Sequence, residues 1–264
     1  DGTQMVFITA VMGGGTGTGA APVVARLAQE KGVLTIGIVT IPFLFEGQKK
    51  ILKALKGADE LGKYVDALLI INNERLTEIY PDLDFDNAFA KADDTLSIAA
   101  RSISELITKV GRINLDFKDV NTTLRKGGAA IISSGYGEGE NRVTKAIKDA
   151  LNSPLLKNRD VYSAQRILIN TYISPNAQDQ LKMSEMNELR QFMCNFDQSL
   201  DVIFGQAYDD TLDDRVKITV LAAGFNVTNS IIREAGAFDN IPIPAKEEPK
   251  GDDSDDQKRL MEEY

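Results

Sequence analysis

VMGGGTGTGAAPVVARLAQ, residues 11–29, is the stretch on which the fold turns. Every residue from Gly13 to Gly19 is glycine or threonine, and the run sits between an apolar strand and a segment with helical spacing. Met5–Val11 is rich in β-formers, and 20–31 carries Pro22 in its first turn and is closed by Gly32, so strand, glycine loop and helix follow in that order. This order presents free backbone N–H groups and the positive end of a helix dipole to an anion, most commonly phosphate. Thr16 and Thr18 add hydroxyl donors, and Gly17 is expected to be glycine so that phosphate can approach the backbone.

Further along, 33–41 (VLTIGIVTI) is expected to be a second apolar strand, 46–61 a second helix and 67–71 (ALLII) a third strand. That alternation predicts a parallel sheet with crossover helices. From 85 to 110, Phe89, Ala92, Leu96, Ala99, Ile103, Leu106 and Val110 recur at steps of three or four, which predicts one long central helix of ~37 Å. A second set follows: strands over 129–134, 166–173, 202–207 and 216–223, with helices near 141–151 and 183–193. The last three strands with one helix among them predict a mixed sheet in an α+β domain. The expected division is 1–110 for the first domain with the central helix, 111–235 for the second, and 236–264 for an acidic disordered tail. Between Lys246 and Tyr264 eight acids face four bases, too polar a segment to offset its ordering entropy.

Composition removes several function classes. The chain has 264 residues, 43% of them hydrophobic, and a formal charge of −9, so a phosphate backbone would be repelled and nucleic acid is not an expected partner. There is no histidine, which excludes Ser-His-Asp and Cys-His catalysis, and one cysteine, Cys194, which can form no internal disulfide. No metal-ligating set is assigned, and a reducing, cytosolic setting fits. No apolar run approaches the ~20 residues that span a bilayer, and no signal-peptide pattern opens the chain, so a soluble protein is expected. The chain opens on Asp1 rather than Met, four residues ahead of an apolar strand, as a piece of something longer would.

Three phosphate-loop types compete for the glycine run. A P-loop needs Gly-Lys-Ser/Thr at its end, and the first lysine is Lys31, at the far end of the helix. A dinucleotide loop can be laid on Gly15, Gly17 and Ala20, but Gly37 to Ile41 offers no ribose-binding acid, and the oxidoreductase reading fails with it. The third type is the sequence itself: Gly13-Gly14-Gly15-Thr16-Gly17-Thr18-Gly19 resembles the signature of the tubulin/FtsZ superfamily of GTPases, in its FtsZ branch.

The resemblance runs from about Met5 to Phe225 and implies a partial Rossmann-like GTPase domain, a long central helix and an α+β C-terminal domain. Pro42-Phe43-Leu44-Phe45-Glu46-Gly47 looks like the segment contacting ribose and phosphate, which assigns nucleotide contacts to Glu46 and to Lys50, where the family usually has Arg. In Ile71-Asn72-Asn73-Glu74-Arg75-Leu76 the contact maps to Asn73. In Phe89-Ala90-Lys91-Ala92-Asp93-Asp94 the family's Asn-Asp pair maps to Asp93 and Asp94; carboxylates there favour guanine, whose N1–H and N2–H₂ are donors, over adenine, whose N1 is an acceptor.

Asn114-Leu115-Asp116-Phe117-Lys118-Asp119 has the form Asn-x-Asp-x-x-Asp, which by itself is also a common turn and helix-cap pattern, with Asp119 a candidate cap. By resemblance it is the synergy loop that one subunit inserts into the next subunit's pocket, with Asp116 and Asp119 activating water and Asn114 positioning. The resemblance thus implies GTP/GDP with Mg²⁺, K⁺ as a second candidate cation, head-to-tail filaments of the chain itself, FtsA-type membrane tethers as partners, and a cytoplasmic protein at the midcell division ring. Two departures stand out: the strand–helix units and further glycine loop that precede this point in the family are not in the sequence, and Leu260-Met261-Glu262-Glu263-Tyr264 does not look like the family's tether-binding peptide. The alternative is a structural or regulatory module of the same fold without turnover.

Overall fold

A computed structural model describes residues 2–82, 84–153, 161–197 and 199–236. The acidic tail expected over 236–264 lies outside the described residues apart from Gly236. The first half alternates β1 (Met5–Val11), α1 (Thr16–Glu30), β2 (Leu34–Ile41), α2 (Gln48–Gly62) and β3 (Ala67–Asn72). These strands are parallel neighbours in the order β1-β2-β3, with Val11 opposite Thr40 and Ile41 opposite Asn72. Their carboxyl ends therefore share one edge, and the segments leaving those ends, 12–19, 42–47 and 73–76, converge there, where open parallel sheets place their ligands. Every residue of β2 and β3 is buried, which is why both read as unbroken apolar runs.

After β3 come the short α3 (Glu74–Ile79), the long α4 (Phe85–Thr108), a three-residue strand β4 (Gly111–Ile113) and α5 (Phe117–Leu124). The second half comprises β5 (Gly128–Gly137), α6 (Arg142–Leu151), β6 (Arg166–Ile173), α7 (Met186–Met193), β7 (Asp201–Tyr208), β8 (Val216–Phe225) and α8 (Val227–Ala235). The whole is one eight-stranded sheet, β1-β2-β3-β5-β8-β6-β7-β4, parallel through its first half and mixed thereafter. The halves meet through two residue pairs, Ala67 with Gly128 and Leu68 with Ala129.

Alternation along the strands sorts the core into faces. Val39 and Ile41 of β2 pack under α1, α2 and α8, while Ile36 and Ile38 face α4 and α5. Ala99, Ile103 and Leu106 of α4 share that second core with Leu168 of β6 and Leu221 of β8, so one helix underlies both halves. A third core, with Ile131, Ile169 and Val220, is closed by α6 and α7.

Several boundaries differ from the sequence expectation. α1 begins at Thr16 rather than residue 20, because Gly15 is already in the right-handed helical region and Gly19 donates to Gly15 O at 3.1 Å. The helix expected over 46–61 is split: a single 3₁₀ turn, Leu44–Glu46, is separated from α2 by Gly47, whose φ of +102° only glycine adopts readily. α4 stops at Thr108, and α3, β4 and α8 are additional.

Candidate functional site

The glycine loop connects β1 to α1 at the carboxyl edge of the parallel strands, held down by Met12 N–H donating to Thr40 O at 3.0 Å. Its glycines meet different constraints. Gly13 has φ +97°, and a Cβ there would lie 2.8 Å from both Cγ and the carbonyl O of Lys50, so the loop turns under the start of α2. At Gly17 a Cβ would sit 2.5 Å from Val11 O, so this glycine seats α1 closely on β1. Gly14, Gly15 and Gly19 face open space instead. Thr18 Oγ1 accepts from Gly13 N–H at 2.9 Å, bracing the loop from within and leaving its O–H to donate, whereas Thr16 is exposed. The N-cap of α1, Gly15, supplies no side-chain acceptor and the first turn carries no acid, so the helix's positive end stays uncompensated where the open glycines lie.

The rest of the edge is built from side chains the sequence brings there. Glu46 accepts from Phe43 N–H at 2.9 Å through Oε1, and its Oε2 pairs with Lys50 Nζ at 2.5 Å, so the two expected nucleotide contacts hold each other. Both halves of this pair are partly buried, the lysine side chain 39% exposed and the glutamate 16%, so Lys50 is the half with access to solvent. Asn73 is buried, its N–H donates to Ile41 O at 3.1 Å, and its Oδ1 has no partner among the described residues. Thr40 Oγ1, at the end of the adjacent strand, is likewise buried without a partner among the described residues. A buried polar atom left unpaired costs about 1–3 kcal/mol, so both atoms at this edge are available to a polar ligand or to water. Thr40 is a candidate that sequence reading missed; its signal was a hydroxyl at the carboxyl end of an otherwise apolar parallel strand. Asp93 and Asp94 are exposed on α4, and among the described residues no hydrogen bond or ion pair engages either carboxylate. They are tied to this edge by Ala92, buried with Phe43 and Leu76, and by Phe89, whose ring meets Phe43 edge-on at 5.3 Å.

Asn114, Asp116 and Asp119 lie at the other end of α4; Asp93 alone is ~22 Å along the helix from its last residue, Thr108. In one chain the two residue sets cannot meet on one ligand. Asp116, not Asp119, is the N-cap of α5: its Oδ1 accepts from Lys118 N–H at 2.7 Å and Asp119 N–H at 3.1 Å, while Asp119 Oδ2 accepts from Asp116 N–H at 2.9 Å. Each carboxylate spends one oxygen on this capping box and keeps the other for a partner. Asn114 Oδ1 accepts from Gly111 N–H at 2.7 Å, closing the turn. β4 pins the loop to β7, with Gly111 so close that a Cβ would lie 2.1 Å from Gln206 O. Behind it, burial raises the Asp209 carboxyl, but the Thr211 hydroxyl and N–H and the Lys109 ammonium outweigh burial and hold it below its ordinary value.

The fold is an α/β unit with an open glycine loop at its carboxyl edge, joined through a long helix to a mixed-sheet unit. Residues 1–81 match the model of the Tubulin/FtsZ family GTPase domain, and 128–226 match that of the FtsZ family C-terminal domain. The chain belongs to the tubulin/FtsZ family. It is 53% identical over 250 residues to the cell division protein FtsZ of Porphyromonas gingivalis, covering 93% of this chain and 54% of that protein. An empty dimer of FtsZ from M. jannaschii superposes with a TM-score of 0.74 at 38% identity, over 84% of this chain and 63% of that one. The GDP-bound monomer of CetZ1 from Haloferax volcanii, at 18% identity and a TM-score of 0.72 over 89% of this chain and 68% of that one, shares the fold. The chain spans about half the length of the curated relatives it matches.

Proposed function

We propose that the protein binds GTP at the carboxyl edge of β1–β3 and hydrolyses it when a second copy, docked head to tail, inserts its 114–119 loop. The observation that carries this reading is the separation of pocket and carboxylate loop to opposite ends of α4, which leaves each chain with half a site at either end. In this reading residues 1–110 form the nucleotide-binding unit and 111–235 the unit that presents the loop. Phosphates lie over Gly14, Gly15, Thr16 and Gly19, with Gly13, Gly17 and Thr18 shaping the loop beneath them. Lys50 exchanges Glu46 for phosphate oxygen, Glu46 and Thr40 take polar groups of the nucleotide, and Asn73 takes a hydroxyl. Asp93 and Asp94 accept from guanine N1–H and N2–H₂. The free oxygens of Asp116 and Asp119 orient and polarise the attacking water, with Asn114 fixing the turn.

Among the described residues no three His, Cys, Asp or Glu side chains cluster as a metal site, so a Mg²⁺ would be held chiefly by phosphate oxygens and water, neutralising phosphate charge, with the incoming Asp116 and Asp119 as the protein's own donors. K⁺ is a second candidate cation of the same neighbourhood. A contact of this kind is heterologous and does not close, so it propagates into filaments. The relatives named as cell division proteins support a place in a cytoplasmic division ring at midcell, tethered by FtsA-type partners. Among the described residues no helix is long and apolar enough to cross a membrane.

One observation favours a second reading, a polymerising module without turnover: the capping box alone would retain Asp116 and Asp119. Phosphate release from GTP and from ATP, measured as protein concentration rises, separates the two. The shared site predicts a concentration threshold followed by rising specific activity for GTP alone. GTP binding without release at any concentration selects the module, and equal rates with ATP overturn the guanine assignment.

A further inference from the structure

α8 leaves the last strand of the mixed sheet and returns to the parallel half. There Ile231 and Ala235 complete the core of Ile8, Val39, Ile51 and Leu68, and Val227 packs so tightly on α2 that a Cβ on Gly62 would lie 2.8 Å from its Cγ1. The helix begins one residue past the stretch matched by the C-terminal-domain model. It ends against the candidate pocket: the buried side-chain amide of Asn72 donates to Glu234 O, in the last turn of the helix, at 3.2 Å. Asn72 Oδ1 in turn accepts from Glu74 N–H at 3.0 Å, and Glu74 Oε2 accepts from Leu44 N–H at 2.7 Å. One chain of hydrogen bonds thus runs from α8 through Asn72 and Glu74 to the turn that carries Glu46. Asn73, whose Oδ1 has no partner among the described residues, sits within that chain and is fixed on both sides by it.

We propose that α8 and Asn72 position Asn73 and the 44–46 turn for nucleotide, so that a helix with no contact to the ligand sets the affinity for GTP; this rests on the GTP reading of the site. Asn72 is a positioning residue: its amide ties the α8 terminus to the end of β3. Fixing the Asn72 amide by a donor and an acceptor at once holds the backbone that carries Asn73 and Glu74, and Ile231 and Ala235 hold the far anchor in place.

The test compares Asn72→Asp, isosteric but lacking the amide donor, with Ile231→Ala and the double variant. Each single change raises the Kd for GTP about three- to tenfold while turnover at saturating GTP stays within about a factor of two, and the double variant binds no worse than the weaker single one. Without nucleotide, amide exchange speeds up at Glu74 and Leu44 and is unchanged at Thr219 and Val220 of β8. A general loss of stability would instead speed exchange everywhere. Unchanged GTP affinity in Asn72→Asp, or additive losses in the double variant, overturns the proposal; should Ile231→Ala fail to fold, Asn72→Asp alone decides it. Absence of GTP binding by the unmodified protein overturns the nucleotide reading itself, whereas intact binding that is indifferent to Asn72 overturns only the brace.

Discussion

Gly15 and Gly17 are two residues apart and are constrained from opposite sides. A Cβ at Gly15 meets nothing within 4 Å among the described residues, so Gly15→Val is expected to melt within a few degrees of the parent yet lose GTP affinity more than about tenfold, because the branched side chain fills the space over the helix terminus. Alanine at Gly17 meets Val11 O and is expected to cost about 1–3 kcal/mol, read as a lower Tm before any ligand is added. If Gly15→Val binds GTP as the parent does, phosphate does not lie there. Both glycines belong to a run whose phosphate-loop character was plain in the sequence. Which glycine serves packing and which serves the ligand was not, since that depends on Val11 O, Lys50 and the direction in which α1 leaves the loop. A second residue-scale expectation concerns pH. The buried Arg142 guanidinium holds the Glu185 carboxyl below its ordinary value of 4.5, against the opposing effect of burial. A depressed carboxyl contributes stability that is complete above the unfolded value and is lost as pH falls through the folded one. Arg142→Met should therefore flatten the acid limb of the stability profile below about pH 4.5. An unchanged acid limb in the variant would remove this pair as its cause.

α5 joins cap and chemistry in one short helix, and the two separate by choice of substitution. Asp116→Asn keeps an N-cap acceptor and is expected to hold stability within about 0.5 kcal/mol while turnover falls at least about tenfold; Asp116→Ala loses the cap as well, for a further ~1 kcal/mol. Equal turnover in Asp116→Asn and the parent would leave the residue a cap and nothing more. Element by element, the legible ones were those with long periodic patterns. β2 and β3 are buried on both faces, and α4 repeats its apolar positions over six turns, so neither needs knowledge of its neighbours to be read. β4 is three residues long and exists because β7, more than 80 residues later, offers an edge. α8 is short, and its apolar residues gain meaning only against the core of the other half. The capping box was visible in spacing, but its register, with Asp116 as the cap, depends on where β4 ends.

At the scale of the molecule, one sheet carries two units that touch through a short β3–β5 pairing, so the side chains of α4 bear much of the connection. Lys217 of β8 is buried, donates to Glu105 of α4 at 2.7 Å and lies 4.9 Å from the centre of the Tyr172 ring. Lys217→Met leaves the Glu105 carboxylate short of its partner and is expected to cost about 1–3 kcal/mol, discounted because Glu105 retains some solvent; a Tm equal to the parent's would show that this bridge does not hold the halves together. The same helix separates pocket from loop, and the proposed function stands on that separation. The most direct test mixes two variants that each lack one half of the site: Gly15→Val, with a blocked pocket and an intact loop, and Asp116→Asn, with an intact pocket and a disabled loop. Each alone should release almost no phosphate from GTP. Mixed in equal amounts, they should recover activity approaching about a quarter of the parent's, because random head-to-tail neighbours pair an intact pocket with an intact loop at that frequency. A mixture no more active than the sum of its parts would contradict a site shared between two copies of the chain.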